Sequence, residues 1–583
     1  MGTISDKLMR VINTKEDIRK ALISKGYDVP ASIPFKEYAK MILDLPCKID
    51  DFPELPGDVT RWHFGGLTNE MMAAMDDPRI EDADHKGRFL SFKNFAWKGM
   101  SGVGGYVGDF SKWVNNRDTT EIGITKSNSK VIIDVKVSQG SGKNIVFISK
   151  SNLGISNNVT IKITSTYPEG VMKFANSASN KYLKLPSNGI ITLQDNPEYT
   201  SNEMHLHLAS ADLGQITIEQ LPLYPGALVF DGVDDYGVCE NFPILTKEKG
   251  YTVVALRQWI TRGERALGLV SNVKNWLNNG AFLLEYRNIQ ADHLNKPISF
   301  GAIGSEMDLP HILTYQTSKS YNGVSITTGN FEGTDVLHVG KLAPTNVGTC
   351  INAAIWELVF LDHDATEEEL TKIKDYFVKT YPWLFPDRAW TVTGKTNEDE
   401  DRTTIANITG NGNNLVLSNF GFIEGSGYNK EGEYAGYLVT DGVDDKIVSS
   451  VFVMGKDFTI VGDWKFIDNK KSGTGLVKAS SFYIYNTMIG LDLYINSGAV
   501  TNSLDGIKSI NAACSDGRAY DRNWNEILAN TGNVVGSGGM LEVSSSGGRF
   551  DRIAFKNLAI YLRILSKDDC IKAYNYLQTL KSK

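Results

Sequence analysis

Two aspartate-rich segments are the first residues of this chain whose type and spacing could do chemistry. Ala227 to Tyr236 reads ALVFDGVDDY and Tyr437 to Lys446 reads YLVTDGVDDK. Asp231, Asp234 and Asp235 therefore have counterparts in Asp441, Asp444 and Asp445. Three carboxylates so close together could hold a cation, but a hard cation takes about six to eight oxygen ligands and the motif does not supply them. Asp-Gly after a run of apolar residues is also what a tight turn at a strand end requires, because both residues tolerate positive φ. The aspartates read first as turn chemistry and second as metal ligands.

Three further constellations deserve weighing. His205 and His207 alternate with Met204, Leu206 and Leu208, which puts both imidazoles on one strand face, opposite the apolar side. Three copies around a threefold axis could surround a metal, yet two histidines per chain lack the ligands of a closed site, and a solvated strand face is the plainer reading. A carbohydrate-cleaving pair of carboxylates should alternate along one strand. Glu357 with Asp362 and Asp364 comes nearest, but these sit across a strand end and a helix start, and the second copy has Asn557, Leu562 and Ile564 there. No GxSxG, HExxH or P-loop pattern occurs, so the chain reads as no enzyme and as needing no cofactor. For sugar binding, Trp259 and Trp356 lie inside apolar runs and read as core. Tyr321 in SKSYNG and Tyr520 in GRAYDR lie in polar, turn-like stretches and read as exposed rings able to bind a ligand.

The elements that position these residues are duplicated. Tyr251-Thr-Val-Val-Ala with Trp259-Ile260 matches Phe458-Thr-Ile-Val-Gly with Phe466-Ile467, and Ser320-Tyr-Asn matches Ala519-Tyr-Asp. Each copy closes with a strand, Ile355 to Leu361 or Phe555 to Tyr561, followed by a short amphipathic helix capped by Thr366 or Ser566 with acidic residues in its first turn. Upstream, Ile80 to Gly102 aligns without gaps to Ile405 to Gly427, with Leu90, Asn94 and Phe95 over Leu415, Asn419 and Phe420. A short stretch separates Gly427 from Asp441, whereas Gly102 and Asp231 are far apart. The first copy is therefore interrupted, from about 115 to 222. The inserted runs around Val131, Ile145, Ile161, Ile190 and Ile216 are β-branched and separated by Gly, Ser and Asn, which predicts a small β-sandwich.

Residues 1–46 have a helical period instead. Ile4, Leu8 and Val11 share a face, Thr14 and Asp17 can cap a helix that stops at Gly26, and Pro34 opens a third short helix. Three such helices bury little by themselves, so their apolar stripes suit a partner surface. Residues 47–59, rich in proline and acidic side chains, read as a linker. The boundaries that follow are 60–386 for the first sandwich and 387–583 for the second.

Composition constrains partners. The 583 residues are 42% hydrophobic and 22% charged, with a net charge of −8 and no basic stripe, which argues against nucleic acid. No segment has the length and apolarity of a membrane span, and Met1 to Arg10 has no signal-peptide core, so membrane insertion and secretion are not expected. Cys47, Cys239, Cys350, Cys514 and Cys570 show no CxxC spacing and read as reduced thiols.

The LVFDGVDDY and LVTDGVDDK strands, the two sheet-rich units and the closing strand and helix resemble laminin G-like or concanavalin A-like jelly rolls. The opening ISDKLMRVINTKEDIRKALISKGYDVPASIPFKEYAKMI is similar to those of virion structural proteins of tailed bacteriophages infecting Bacteroides and related gut bacteria, including crAss-like phages. The junction Ile218 to Val229, IEQLPLYPGALV, has counterparts there too. The resemblance implies a mainly β chain: two jelly-roll sandwiches, a small β-sandwich inserted in the first, and a short N-terminal helical domain. It further implies a head or tail fibre or decoration protein, made in the host bacterial cytoplasm and residing in the virion. Residues 1–46 would contact other virion proteins, the jelly rolls would bind host-surface polysaccharide, and the assembly would be a homotrimer. A purely structural collar or capsid-decorating protein and a polysaccharide-degrading enzyme are the alternatives.

Overall fold

The computed structural model describes Lys15 and residues 51–582 except 116–119, 139–140, 156–158, 176–181, 194–202, 211–212, 246–247, 262–266, 273–282, 287–312, 322, 326–333, 342–349, 411, 433, 469–473, 480–481, 487–489, 496–503, 506–509, 529–536, 540, 544, 547–548 and 551. The chain divides into two units, Met1–Glu54 and Leu55–Lys583. The helical stretch expected over residues 1–46 lies outside the described residues, Lys15 apart.

The second unit is mainly β. Its first sandwich contains strands β1 (Val59–His63), β2 (Arg79–Glu81), β3 (Phe89–Lys93), β4 (Leu228–Asp231), β5 (Tyr236–Cys239), β6 (Thr252–Trp259) and β7 (Asn352–Leu361), closed by helix α1 (Glu367–Thr380). One antiparallel sheet runs Val324–Ser325, Ser320–Tyr321, Leu313–Thr317, β6, β7, β4, Gly102–Val103, with β1 on the far half of β7. The facing sheet runs Leu283–Tyr286, Leu267–Ser271, Leu337–Val339, β5, β3, β2. Alternation along β3 shows why the sheets pair: Leu90 and Phe92 are buried, Phe89 is exposed, and Ser91 and Lys93 are partly exposed. The inward residues join Trp62, Phe230, Val253, Leu358 and Phe360 in one core. At about 1.5–3 kcal/mol per fully buried large apolar side chain, that core is the main force holding the two sheets together.

The second sandwich repeats this plan with β8 (Arg388–Thr391), β9 (Leu415–Ser418), β10 (Lys446–Ser449), β11 (Thr459–Asp468), β12 (Arg552–Tyr561) and α2 (Lys567–Gln578). Repetition extends to register. Trp62 lies opposite Leu358 and Trp390 opposite Leu558. The bulge after Leu256, opposite Glu357, recurs after Asp463, opposite Asn557. Its core, including Trp390, Leu415, Leu438, Ile460 and Phe555, is separate from the first. Both closing helices start as the sequence predicts: the Thr366 and Ser566 hydroxyls accept from the backbone N–H of Glu369 and Asp569, and Glu369 completes a capping box.

The inserted segment builds two five-stranded sheets, ordered Tyr182–Lys184, Met172–Ala175, Glu203–Ser210, Ser141–Ser149, Val114–Asn115 and Asn188–Thr192, Thr160–Ser165, Gly214–Gln220, Lys130–Val135, Ile122–Lys126. They enclose a third core containing Trp113, Ile133, Val146, Phe174 and Ile216. The departing and returning chains are zipped together, Tyr224 N–H donating to Gly104 O at 2.8 Å and Leu223 N–H to Gly105 O at 3.0 Å. The three bodies also meet at the C-terminal helix. Buried Thr160 of the insertion donates to Asn575 Oδ1 at 2.9 Å, and Gln258 of β6 donates to Thr579 Oγ1 at 2.9 Å.

One boundary moves. The stretch read as a linker up to residue 59 is divided after Glu54, and its end is part of the first sandwich. Asp58 N–H donates to Asp362 Oδ1 at 3.0 Å, and the Asp58 carboxylate pairs with Arg88 and with Lys86 at 3.1 Å. Its acidity, which in sequence looks like linker solubility, is matched by cations that only the fold brings near.

Candidate functional site on the outer face of the first sandwich

The aspartate motifs are joints between a turn and a neighbouring loop. Asp231 Oδ1 accepts from Val233 N–H at 2.8 Å and Asp234 N–H at 3.4 Å, closing the turn. Asp235, buried, accepts from Asp231 N–H at 3.0 Å and Ser101 Oγ at 2.9 Å, while Asn94 Nδ2 donates to Asp234 O at 3.0 Å. Asp441, Asp445, Ser426, Asn419 and Asp444 reproduce every one of these contacts. Candidate ligand oxygens of each triad lie within 4.8 Å of one another, but Asp231, Asp235, Asp441 and Asp445 already serve backbone and serine donors, as the turn reading predicts. Burial, with the charges of the neighbouring aspartates, pushes Asp235 up to about 7 and Asp445 to about 6 despite those hydrogen bonds.

The histidines do share a face, with ring centroids 6.4 Å apart. That face is not the solvated one expected. His205 is buried against the Phe147 ring at 5.8 Å because its strand lies inside a sheet, between Ser141–Ser149 and Met172–Ala175, and His207 is partly exposed. Burial lowers the pKa of both, and among the described residues no third ligand joins them.

Tyr520 corrects the reading of polar neighbours as exposure. Its ring is fully buried, 6.2 Å from Trp524 and beneath Lys567, because its strand Arg518–Asp521 is flanked on both sides by Ile510–Cys514 and Glu526–Leu528. The polar residues around it belong to the turns at the strand ends. Tyr321 is in a short strand opposite Gln316, and its side chain lies outside the described residues. Trp259 and Trp356 are buried.

The three carboxylates weighed for hydrolysis have structural partners. Glu357 is buried, with Arg61 Nη1 at 2.8 Å, His63 Nδ1 at 3.1 Å, and the Tyr376 and Tyr381 hydroxyls at 3.3 and 3.1 Å. Asp362 accepts from Asp58, and Asp364 from Ser318 N–H and Oγ at 2.8 and 2.9 Å with Lys319 at 2.7 Å. The second copy replaces Glu357 by Asn557 and has Ala389 at the place of Arg61 along its strand pair. The ionic cluster belongs to the first sandwich alone.

The site that sequence reading missed is a groove of about 480 Å³ on the outward side of β2, β3 and β5. Phe89, Ser91 and Lys93 project from β3, Tyr236 and Val238 from β5 and Arg79 from β2, with Asp77, Glu240 and Asn241 at the margins. Tyr236 lies opposite Lys93 and Val238 opposite Ser91. The two rings are thus separated by four residues of β3, about 13 Å at the usual strand rise. Cations hold each ring: the Arg79 guanidinium lies 4.9 Å from the Phe89 centroid and Lys341 Nζ 4.4 Å from that of Tyr236. Asp77 takes Lys93 at 3.1 Å and Arg79 at 3.7 Å.

The duplication makes this groove informative. Inward positions stay apolar, Leu90 and Phe92 facing Leu415 and Leu417 in the alignment. Outward positions diverge: Arg79, Phe89, Ser91, Lys93 and Tyr236 correspond to Thr404, Asn414, Val416, Ser418 and Lys446, in the same strand register. The second copy carries other residues at each of these rim positions, Arg402 and Ser450 standing for the acids Asp77 and Glu240. The signal is present as the alternation Phe89-Leu-Ser-Phe-Lys and its counterpart Asn414-Leu-Val-Leu-Ser, but strand aromatics are usually core, and alternation alone does not show which face is covered.

No family model matches the chain, and no match to a curated protein is found. Among solved structures, Trypanosoma rangeli sialidase in complex with sialic acid aligns at 10% identity and a TM-score of 0.25 over 84% of this chain and 91% of that one. The binding domain of Botulinum neurotoxin serotype D aligns at 10% identity and a TM-score of 0.23 over 60% and 89%. Scores at this level do not establish a common fold.

Proposed function

We propose that this chain is a fibre or decoration protein of a tailed-bacteriophage particle, attached through residues 1–46, that holds host-surface glycan in the groove between Phe89 and Tyr236. The observation that carries the binding reading is the outward face of the first sandwich: two exposed or partly exposed rings, Phe89 on β3 and Tyr236 on the neighbouring β5, fringed by hydrogen-bonding side chains, where the duplicate sandwich has Asn414 and Lys446 at the same positions. Rings offer a flat apolar surface to the C–H faces of a sugar while the neighbouring polar groups meet its hydroxyls. The attachment reading is supported by the resemblance of the N-terminal sequence and by the helical period of its apolar residues in the sequence of 1–46. Weak single-groove binding becomes useful when several chains on one particle meet a repetitive surface, which favours a symmetric assembly such as a trimer.

A purely structural role is the second reading, favoured by the hydrogen bonds that fix the insertion and the first sandwich to the C-terminal helix. A glycan array probed with the full chain and with Phe89→Ala and Tyr236→Ala separates the two. Binding to a saccharide class that falls about tenfold with each ring removed supports the groove. Binding that both variants retain in full places the ligand elsewhere, and an array without any signal favours the scaffold.

A further inference from the structure

The charges of the groove are arranged around one carboxylate. Asp77 sits between the two cations, Lys93 Nζ at 3.1 Å and Arg79 Nη1 at 3.7 Å, and all three side chains remain about half exposed. Glu240, exposed, adds a second acid at the margin. Formal charge across the four lining residues Asp77, Arg79, Lys93 and Glu240 cancels, Lys341 lying outside the lining over the Tyr236 ring, within a chain of net charge −8. Without Asp77, Arg79 beside the Phe89 ring and Lys93 beside Tyr236 would form a two-cation site on an aromatic floor, which suits the carboxylate of an acidic sugar. With Asp77 in place, such a carboxylate must displace an existing one and gains little from the exchange, since exposed ion pairs are weak and Glu240 opposes a further anion. An uncharged sugar meets no such barrier.

Resting on the glycan reading of this groove, we propose that Asp77 is a specificity determinant: it occupies the anion position between Arg79 and Lys93, so that the groove takes uncharged saccharides and rejects acidic ones. The second sandwich has Arg402, Thr404 and Ser418 at the three positions, so the arrangement belongs to the groove rather than to the fold. Asp77 is exposed and its replacement by asparagine is isosteric, so folding should be unaffected, which thermal melting checks.

The test measures binding of the full chain to neutral probes (dextran, mannan, galactan) and acidic probes (polygalacturonate, hyaluronate) at low and high salt, for wild type, Asp77→Asn and the double variant Asp77→Asn with Arg79→Gln. Wild type should bind at least one neutral probe with little salt dependence. Asp77→Asn should keep that affinity and gain on the order of five- to tenfold for an acidic probe at low salt, the gain disappearing at high salt and in the double variant. Two results overturn the role of Asp77 while leaving glycan binding intact: wild type binding polygalacturonate as well as a neutral probe, or Asp77→Asn gaining nothing for acidic probes. If neither wild type nor Asp77→Asn binds any probe, the glycan reading of the groove fails and this inference with it.

Discussion

Replacing Asp235 by asparagine should stabilise the first sandwich at alkaline pH and do nothing favourable in acid. Asp235 is fully buried, and burial together with Asp231 and Asp234 raises it from an ordinary 3.8 to about 7. Between those values the folded chain keeps a proton that the unfolded chain has lost, so the contribution of this group to stability is complete below about pH 4, declines as pH rises and is gone above about pH 7. A shift of about three units corresponds to roughly 4 kcal/mol across the window. Asparagine has no proton to lose. Its Oδ1 can accept from Asp231 N–H and its Nδ2 can donate to Ser101 Oγ, which already accepts from Ala96 N–H at 2.8 Å. The exchange of hydrogen-bond roles costs about 1 kcal/mol. The variant should therefore be more stable than wild type by about 2–3 kcal/mol at pH 8 and equal or slightly less stable at pH 4.5. Urea denaturation of both proteins across that range, followed by tryptophan fluorescence, measures the difference, and subtraction removes every other titrating group. A difference that stays constant with pH, or an Asp235→Asn variant less stable at pH 8 than at pH 4.5 relative to wild type, would refute the assignment of a desolvated carboxyl at this turn.

Two further perturbations test the network around β7 and α1. Burial alone would lower the pKa of His363, but its hydrogen bonds to Glu369 at 3.0 Å and Asp362 at 3.3 Å outweigh this and raise it; the imidazolium thus contributes stability below its unfolded pKa that disappears as pH rises through the folded one. Thermal melts of His363→Gln should show a deficit at pH 5.5 that vanishes by pH 8, and a deficit growing with pH would contradict the pairing. Removing Glu357 as alanine strands the Arg61 charge, about 1% exposed, in the core and should cost about 3–5 kcal/mol by urea denaturation. The paired change Arg61→Met with Glu357→Leu should recover most of that loss, and a double variant as unstable as Glu357→Ala would show that packing rather than charge dominates.

The duplication, the two closing helices with their caps and the β character of the insertion were legible because each depends on neighbours in sequence. An Asp-Gly turn recurs with its strand, a Thr or Ser cap serves an N–H three residues on, and alternation in Phe89-Leu-Ser-Phe-Lys states which residues share a face. Periodicity does not state what covers the other face. Tyr520 lies in a polar stretch and is buried because strands on both sides and the C-terminal helix enclose it, whereas Phe89 lies in a strand and is exposed because nothing among the described residues buries it.

Charge follows the same division. Sequence alone determined that acids stand at the turns and that the chain, with a net charge of −8, has no basic stripe. Tertiary structure alone decided which partner each acid finds: Glu357 meets the Arg61 cation across 296 residues, and Asp235 meets the Ser101 hydroxyl across 134. The groove likewise needs β2, β3 and β5 side by side, with β5 separated from β3 by the whole insertion. Local propensity and period are properties of a short segment, whereas burial, ion pairing and the shape of a binding surface arise from which distant segments the apolar faces bring together.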